Sequence, residues 1–129
     1  LIKYMIKIKD IVNSQASLQK LLGVSLPVKV SYKLSKLVAK LQPELDLFNK
    51  EKDKLIEKYG EKDDKGVVSI KQDSPNMPKF VEEINELTEM EVNIDFGDGK
   101  PFEKISVADL GDVKIEAQDL LSLSYLLND

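Results

Sequence analysis

VKVSYKLSKLVAKLQPELDLFNKEKDKLIEKY, residues 28–59, is the stretch whose reading decides the fold. Within it Leu34, Val38, Leu41, Leu45, Phe48, Lys52, Leu55 and Tyr59 follow alternating steps of four and three. That is a heptad seam, interrupted once by Lys52, and it predicts a long helix with one apolar edge. Such an edge must be covered by another helix of the same chain or by a second copy. Pro43 lies inside the run and removes one helical hydrogen bond, so a kink or a restart is expected near Gln42. The seam continues on both sides of the proline, which favours a kinked helix over a loop. Gly60 then ends it.

Working outward from this helix, residues 6–22 carry Ile8, Ile11, Val12, Leu18, Leu21 and Leu22 at helical spacing, with Gly23 as a stop and Leu26-Pro27 as a turn. Downstream, residues 61–66 form a charged, solvated turn, and Val67–Ile70 is short and β-branched enough for a small strand. Ser74-Pro75, or Asn76 with Pro78, opens a helix that runs to about Met90. It places Phe80, Val81, Ile84 and Leu87 on one face and is expected to fold back antiparallel against the seam. Val92, Ile94 and Phe96 alternate with polar residues ahead of Gly97-Asp98-Gly99, a hairpin signal whose second arm would be Phe102–Val107. Ser106 to Asp109 fits a capping box over one short turn, Val113–Ile115 a further strand, and Ala117–Leu127 a leucine-rich helix packed into the core. The expected class is α+β, α-rich: a long kinked helix, two or three shorter helices and a small antiparallel hairpin sheet. We read residues 5–129 as one domain, with Met5 resembling an initiator and residues 1–4 a vector-derived or upstream extension.

The chemistry available to the chain is narrow. Its 129 residues include no histidine, cysteine, arginine or tryptophan, and all nineteen basic residues are lysines. That excludes a Ser-His-Asp or Cys-His nucleophile, a His/Cys zinc site, any disulfide and a bidentate guanidinium clamp. Carboxylate pairs and lysines could still serve as acid, base or nucleophile, but no spacing singles out a pair, so no catalytic residue, cofactor or metal is expected. No apolar run approaches the roughly 18 residues of a membrane span. The N-terminus has no secretory h-region, and the lack of cysteine suits a reducing cytoplasm.

Charge is divided along the chain. Residues 1–60 hold twelve lysines against six acids, a net of +6, and residues 61–129 hold seven lysines against seventeen acids, a net of −10. Either the halves pack together and compensate, or they form two faces of opposite sign, one of which docks a partner. Lys29, Lys33, Lys36 and Lys40 fall on one stripe beside the seam and form a candidate partner-binding face. Without arginine, and with Tyr32 the main nearby aromatic, this stripe suits an acidic protein better than nucleic acid. Glu82, Glu86 and Glu89 form a second stripe, with Glu83 and Glu91 close by. It could meet a divalent metal or imitate the phosphates of DNA, though an ordinary solvated face is the plainer reading. Asp95-Phe96-Gly97-Asp98-Gly99 lacks the companions of a kinase motif and the acid spacing of a calcium loop, and reads as a hairpin turn.

One set of segments carries a resemblance. Leu18-Gln19-Lys20-Leu21, Leu26 to Leu34 (LPVKVSYKL), Leu55 to Asp63 (LIEKYGEKD), Phe80 to Leu87 (FVEEINEL) and Glu91 to Ile94 (EVNI) together resemble a family of small phage and prophage proteins of unknown function from Gram-positive bacteria. Pro43 departs from that pattern, where a helix former is expected. The all-lysine basic set also suits an AT-rich bacterial or phage genome. The resemblance implies phage origin and action in the host cytoplasm, and it brings no site residues. The expected function is that of a non-enzymatic protein that binds a host or phage protein and interferes with host or anti-phage defence machinery. Two alternatives stand beside it: a virion, tail or head–tail assembly component working by self-association, and a binder of nucleotide signal molecules.

Overall fold

A computed structural model describes residues 4–94 and 103–128. Strand β1 (Tyr4–Lys7) leads into helix α1 (Ile8–Asn13) and, after Ser14, helix α2 (Gln15–Leu22). Helix α3 (Val28–Tyr59) follows, then strands β2 (Glu61–Lys62) and β3 (Val68–Ser69), helix α4 (Met77–Thr88) and strand β4 (Glu91–Ile94). Strand β5 (Ile105–Ser106), a 3-10 turn (Val107–Leu110), helix α5 (Ala117–Ser122) and strand β6 (Leu127–Asn128) complete the chain. The architecture is α+β and α-rich, with the long helix as its spine.

Helix α3 holds 32 residues and passes through Pro43 without a restart. The proline and Ala39, whose carbonyl loses its usual donor, both lie on the solvent side, where hydration can replace the lost bond. The helix buries Val30, Leu34, Leu37, Leu41 and Phe48. Heptad spacing placed Val38 in the seam, but Val38 is only partly buried, whereas Leu37 is fully enclosed. The buried set Val30, Leu34, Leu37, Leu41 and Phe48 is itself in heptad register: it shares Leu34, Leu41 and Phe48 with the expected seam and takes Val30 and Leu37 in place of Val38 as the flanking positions.

The core is one cluster. It joins the buried side chains of α3 to Ile6 of β1, Ile8 and Ile11 of α1, Leu18 and Leu21 of α2, and Val92 and Ile94 of β4. Ile105, Leu110, Leu123, Leu126 and Leu127 close it from the C-terminal segment. Strands β1 and β4 pair antiparallel in the register Tyr4↔Ile94 to Lys7↔Glu91, so Ile6 and Val92 meet at the core face. Strands β2 and β3 form a hairpin. Its turn is held by the Asp63 carboxylate, which accepts the amides of Lys65 (2.8 Å) and Val67 (2.9 Å), with Gly66 supplying a positive φ of 81°. Helix α4 runs back along the C-terminal half of α3, with Lys58 near Glu83 and Asn76 Nδ2 donating to the Tyr59 carbonyl.

Several expectations need correction. Residues 4–7 are a strand rather than the approach to a helix, and the expected 6–22 helix is two helices that meet at Ser14. Ser14 is completely buried; its hydroxyl bonds the Ile11 carbonyl (3.0 Å) and the Tyr125 hydroxyl, and these contacts anchor the junction to the C-terminal segment. Glu61 and Lys62, expected in a turn, form β2. Among the described residues the expected pairing of the 92–96 run with the 102–107 run is not made. β4 pairs with β1, and β5 pairs in parallel with β6; the expected turn at residues 95–99 lies outside the described residues. Residues 113–115 form no strand, and the expected 117–127 helix stops at Ser122. Leu123, Leu126 and Leu127 are buried through a turn and a short strand instead.

Candidate functional site

Part of the divided charge is compensated inside the molecule, by ion pairs between the halves that, among the described residues, engage four of the twelve lysines of residues 1–60. Lys7 and Lys9 both donate to Glu89, at 2.7 and 2.8 Å, joining the N-terminal strand and helix to the end of α4. Lys20 reaches Asp119 at 2.8 Å and Glu116 at 3.8 Å, and Lys58 lies 3.5 Å from Glu83. All these pairs link the basic first half to the acidic second half. Hydrogen bonds from Lys7 and Lys9 hold the Glu89 carboxyl down at about 2. A hydrogen bond from Lys20, aided by one from Ser17, holds Asp119 below its ordinary value.

These pairs divide the predicted binding residues into two groups. Glu89 is engaged with two lysines, while Glu82 and Glu86 remain exposed on α4. Glu89 is itself about half exposed, so the row stays at the surface with one member paired. Among the described residues no group of three or more acidic side chains is arranged to hold a metal ion. Glu83 and Glu86 do line an open groove with Glu51, Leu55, Leu87 and Met90, and one carboxylate oxygen of Glu83 is buried without a hydrogen bond.

The predicted lysine stripe has a different fate. Lys29, Lys36 and Lys40 are exposed on the first half of α3, and Lys33 is half-buried beside them. None of the ion pairs described above involves Lys29, Lys36 or Lys40. The seam residues Leu34, Leu41 and Phe48 are buried in the chain's own core, Leu45 packs against it, and Val38, Leu55 and Tyr59 are partly buried. The seam thus faces inward, and the lysines border the opposite side of the helix.

On that opposite side stand Val28, to which the sequence reading gave no role, and Tyr32, which it noted only as an aromatic near the lysines. Val28 is 80% exposed and Tyr32, one turn on, is 67% exposed. The ammonium of Lys36 sits 5.5 Å from the centre of the Tyr32 ring, close enough for a cation–π contact. Ser35 and Ala39 continue the same line as small, exposed residues, and the Ser35 hydroxyl is satisfied by the Ser31 carbonyl (2.9 Å). Leu47 is exposed further along α3. A helical projection of residues 28–39 alone would have found this strip, since Val28 lies about half a turn from Leu37 at 100° per residue.

A second polar cluster joins α2 to α5. Ser17 Oγ bonds Asp119 (2.7 Å) and Ser122 Oγ (2.7 Å), while Lys20 bonds the other Asp119 oxygen. Serine, lysine and aspartate together invite a nucleophile reading, but the geometry opposes it. The carboxylate raises the Lys20 pKa, so the ammonium stays charged and cannot accept the serine proton. The cluster instead fixes α5 antiparallel along α2. Beyond its end an open groove of about 730 Å³ lies between residues 24–27 and 110–114, with Lys20 and Lys114 among its lining residues. Among the described residues, no helix is long and apolar enough to cross a membrane.

No protein-family model, curated protein or solved structure matches this chain. Function must therefore be argued from the residues themselves.

Proposed function

We propose that this protein acts by binding another protein through the exposed face of the first half of α3, and that it has no catalytic activity of its own. One observation carries this reading: the intramolecular ion pairs engage Lys7, Lys9, Lys20 and Lys58, whereas Lys29, Lys36 and Lys40 stand exposed on the same half of α3 as the exposed Val28 and Tyr32. Clustered lysines bordering exposed apolar side chains combine electrostatic attraction with an area to bury. Lysine offers point charges rather than planar bidentate recognition, which suits an acidic protein surface better than base edges. The phage resemblance directs the proposal toward a partner in the host cytoplasm, in host or anti-phage defence machinery. Assembly by self-association has less support, because the heptad seam that would have served it lies in the core.

The reading is tested by capture from a Gram-positive host lysate with the wild-type chain and with K29E/K36E/K40E. A partner retained by wild type at low salt, released at high salt and lost in the triple variant is the expected result. Identical partners for both chains, or none sensitive to salt, would refute it.

A further inference from the structure

We propose that the exposed face of α3 is a docking track for an amphipathic helix with an acidic edge. This rests on the protein-binding reading and adds the shape and charge of the partner. Val28, Tyr32, Ser35 and Ala39 are separated by four, three and four residues, so α3 carries a second heptad strip on the side away from the core. The strip covers about three helical turns, some 17 Å at 1.5 Å per residue. Its two large side chains are exposed, and its two small ones allow a neighbouring backbone to come close. Neither small residue obstructs approach with an unpaired polar group, because the Ser35 hydroxyl is bonded within its own helix.

Charge defines the occupant. Lys29 and Lys36 each follow a strip residue by one position, at Val28 and Ser35, and so occupy the edge from which paired helices exchange ion pairs. The opposite edge holds Ser31 and Val38 and carries no charge. A partner helix lying along the strip would place apolar side chains against Val28 and Tyr32 and carboxylates opposite Lys29 and Lys36. The Tyr32 ring, already in contact with the Lys36 ammonium, would serve both the apolar and the charged parts of the contact. A basic or neutral helix would leave these lysines facing like charge or nothing.

The test uses three fluorescein-labelled three-heptad peptides, read by anisotropy against the whole chain. The first has leucine at the seam positions and glutamate at both edges. The second replaces those glutamates with lysine. The third keeps the glutamates and replaces the seam leucines with glutamine. The glutamate-edged leucine peptide is expected to bind at least about tenfold more tightly than either of the others. K29E/K36E should reverse the preference between the glutamate and lysine peptides, and V28S/Y32S should weaken the glutamate peptide about tenfold while leaving the charges in place. Circular dichroism of both variants at wild-type intensity establishes that they are folded. Equal binding of all three peptides overturns the proposal, as does binding that ignores V28S/Y32S. Light scattering that shows a dimer abolished by V28S/Y32S also overturns it, because the occupant would then be a second copy. If lysate capture responds to K29E/K36E/K40E while the glutamate peptide does not bind, the helix proposal fails and the protein-binding reading stands.

Discussion

Leu37→Ala and Val38→Ala form a paired test of how α3 is rotated in the fold. Leu37 is 0% exposed, within a cluster that includes Leu34, Leu41 and Leu123, while its neighbour Val38 is only partly buried. Truncating leucine to alanine removes three carbons, worth about 2.4 kcal/mol at roughly 0.8 kcal/mol each, before any cavity left behind is counted. Enclosed sites of this kind cost about 2–5 kcal/mol in total. At Val38 fewer buried atoms are lost, and alanine is the better helix former by about 0.5 kcal/mol, so the net change should stay within about 1 kcal/mol. Equilibrium urea unfolding followed by circular dichroism at 222 nm measures both, with the midpoint shift converted through a common slope. In a thermal melt Leu37→Ala should lower the midpoint by about 8–20 °C and Val38→Ala by only a few degrees. A Val38→Ala loss equal to or greater than that of Leu37→Ala would refute the rotation. The expected seam through Val38 would then be the buried face, and the exposed strip at Val28 and Tyr32 would have to be reassigned.

Three further outcomes are expected. Acidification should destabilise the fold between about pH 4.5 and 2: Glu89 is held at about 2 against an ordinary 4.5, and Asp119 is also lowered, so both contribute stability above their unfolded values that is lost as pH falls through their folded ones. Glu89→Gln should flatten that part of the urea-midpoint profile, and because the side chains are about half exposed the effect should shrink in high salt. Gly60→Ala should cost more than Gly66→Ala in thermal melts. An added methyl at Gly60 would lie 2.5 Å from the Ile56 carbonyl and 2.8 Å from that of Ser69, whereas at Gly66 only the positive φ resists, by about 1–2 kcal/mol. Pro43→Ala should stabilise the chain by about 1–3 kcal/mol in urea, since it restores an amide for the Ala39 carbonyl at an exposed position; a loss of stability would mean that the proline has a packing role.

What could be read from the sequence follows the distance over which each element is determined. Helix α3 was legible to its ends because its signals are local: Pro27 before it, Gly60 after it and a period that runs from Leu34 to Tyr59 between them. α4 was legible for the same reason. β1 was not, since a four-residue strand acquires its identity only from β4, nearly ninety residues away. The break at Ser14 likewise depends on Tyr125, and the C-terminal leucines Leu123 and Leu126 are buried in a turn that period alone presents as helix. Of the candidate site, the lysines were visible as a stripe. That Glu89 is occupied by Lys7 and Lys9, whereas Lys29, Lys36 and Lys40 are not so engaged, could be learned only once the distant segments were placed together.

The long helix also grades the molecule mechanically. All the fully buried side chains of α3 lie between Val30 and Phe48, and α4, which flanks its second half, has none. Beyond Phe48 the spine is held by half-buried contacts, a two-strand hairpin and the ion pair of Lys58 with Glu83. Amides after Phe48 and throughout α4 should therefore exchange with solvent by partial opening, while those of residues 30–48 wait for global unfolding. The proposed docking strip lies on the slow-exchanging end. A partner would thus meet a surface already rigid, and the ordering cost of binding would fall on the partner alone.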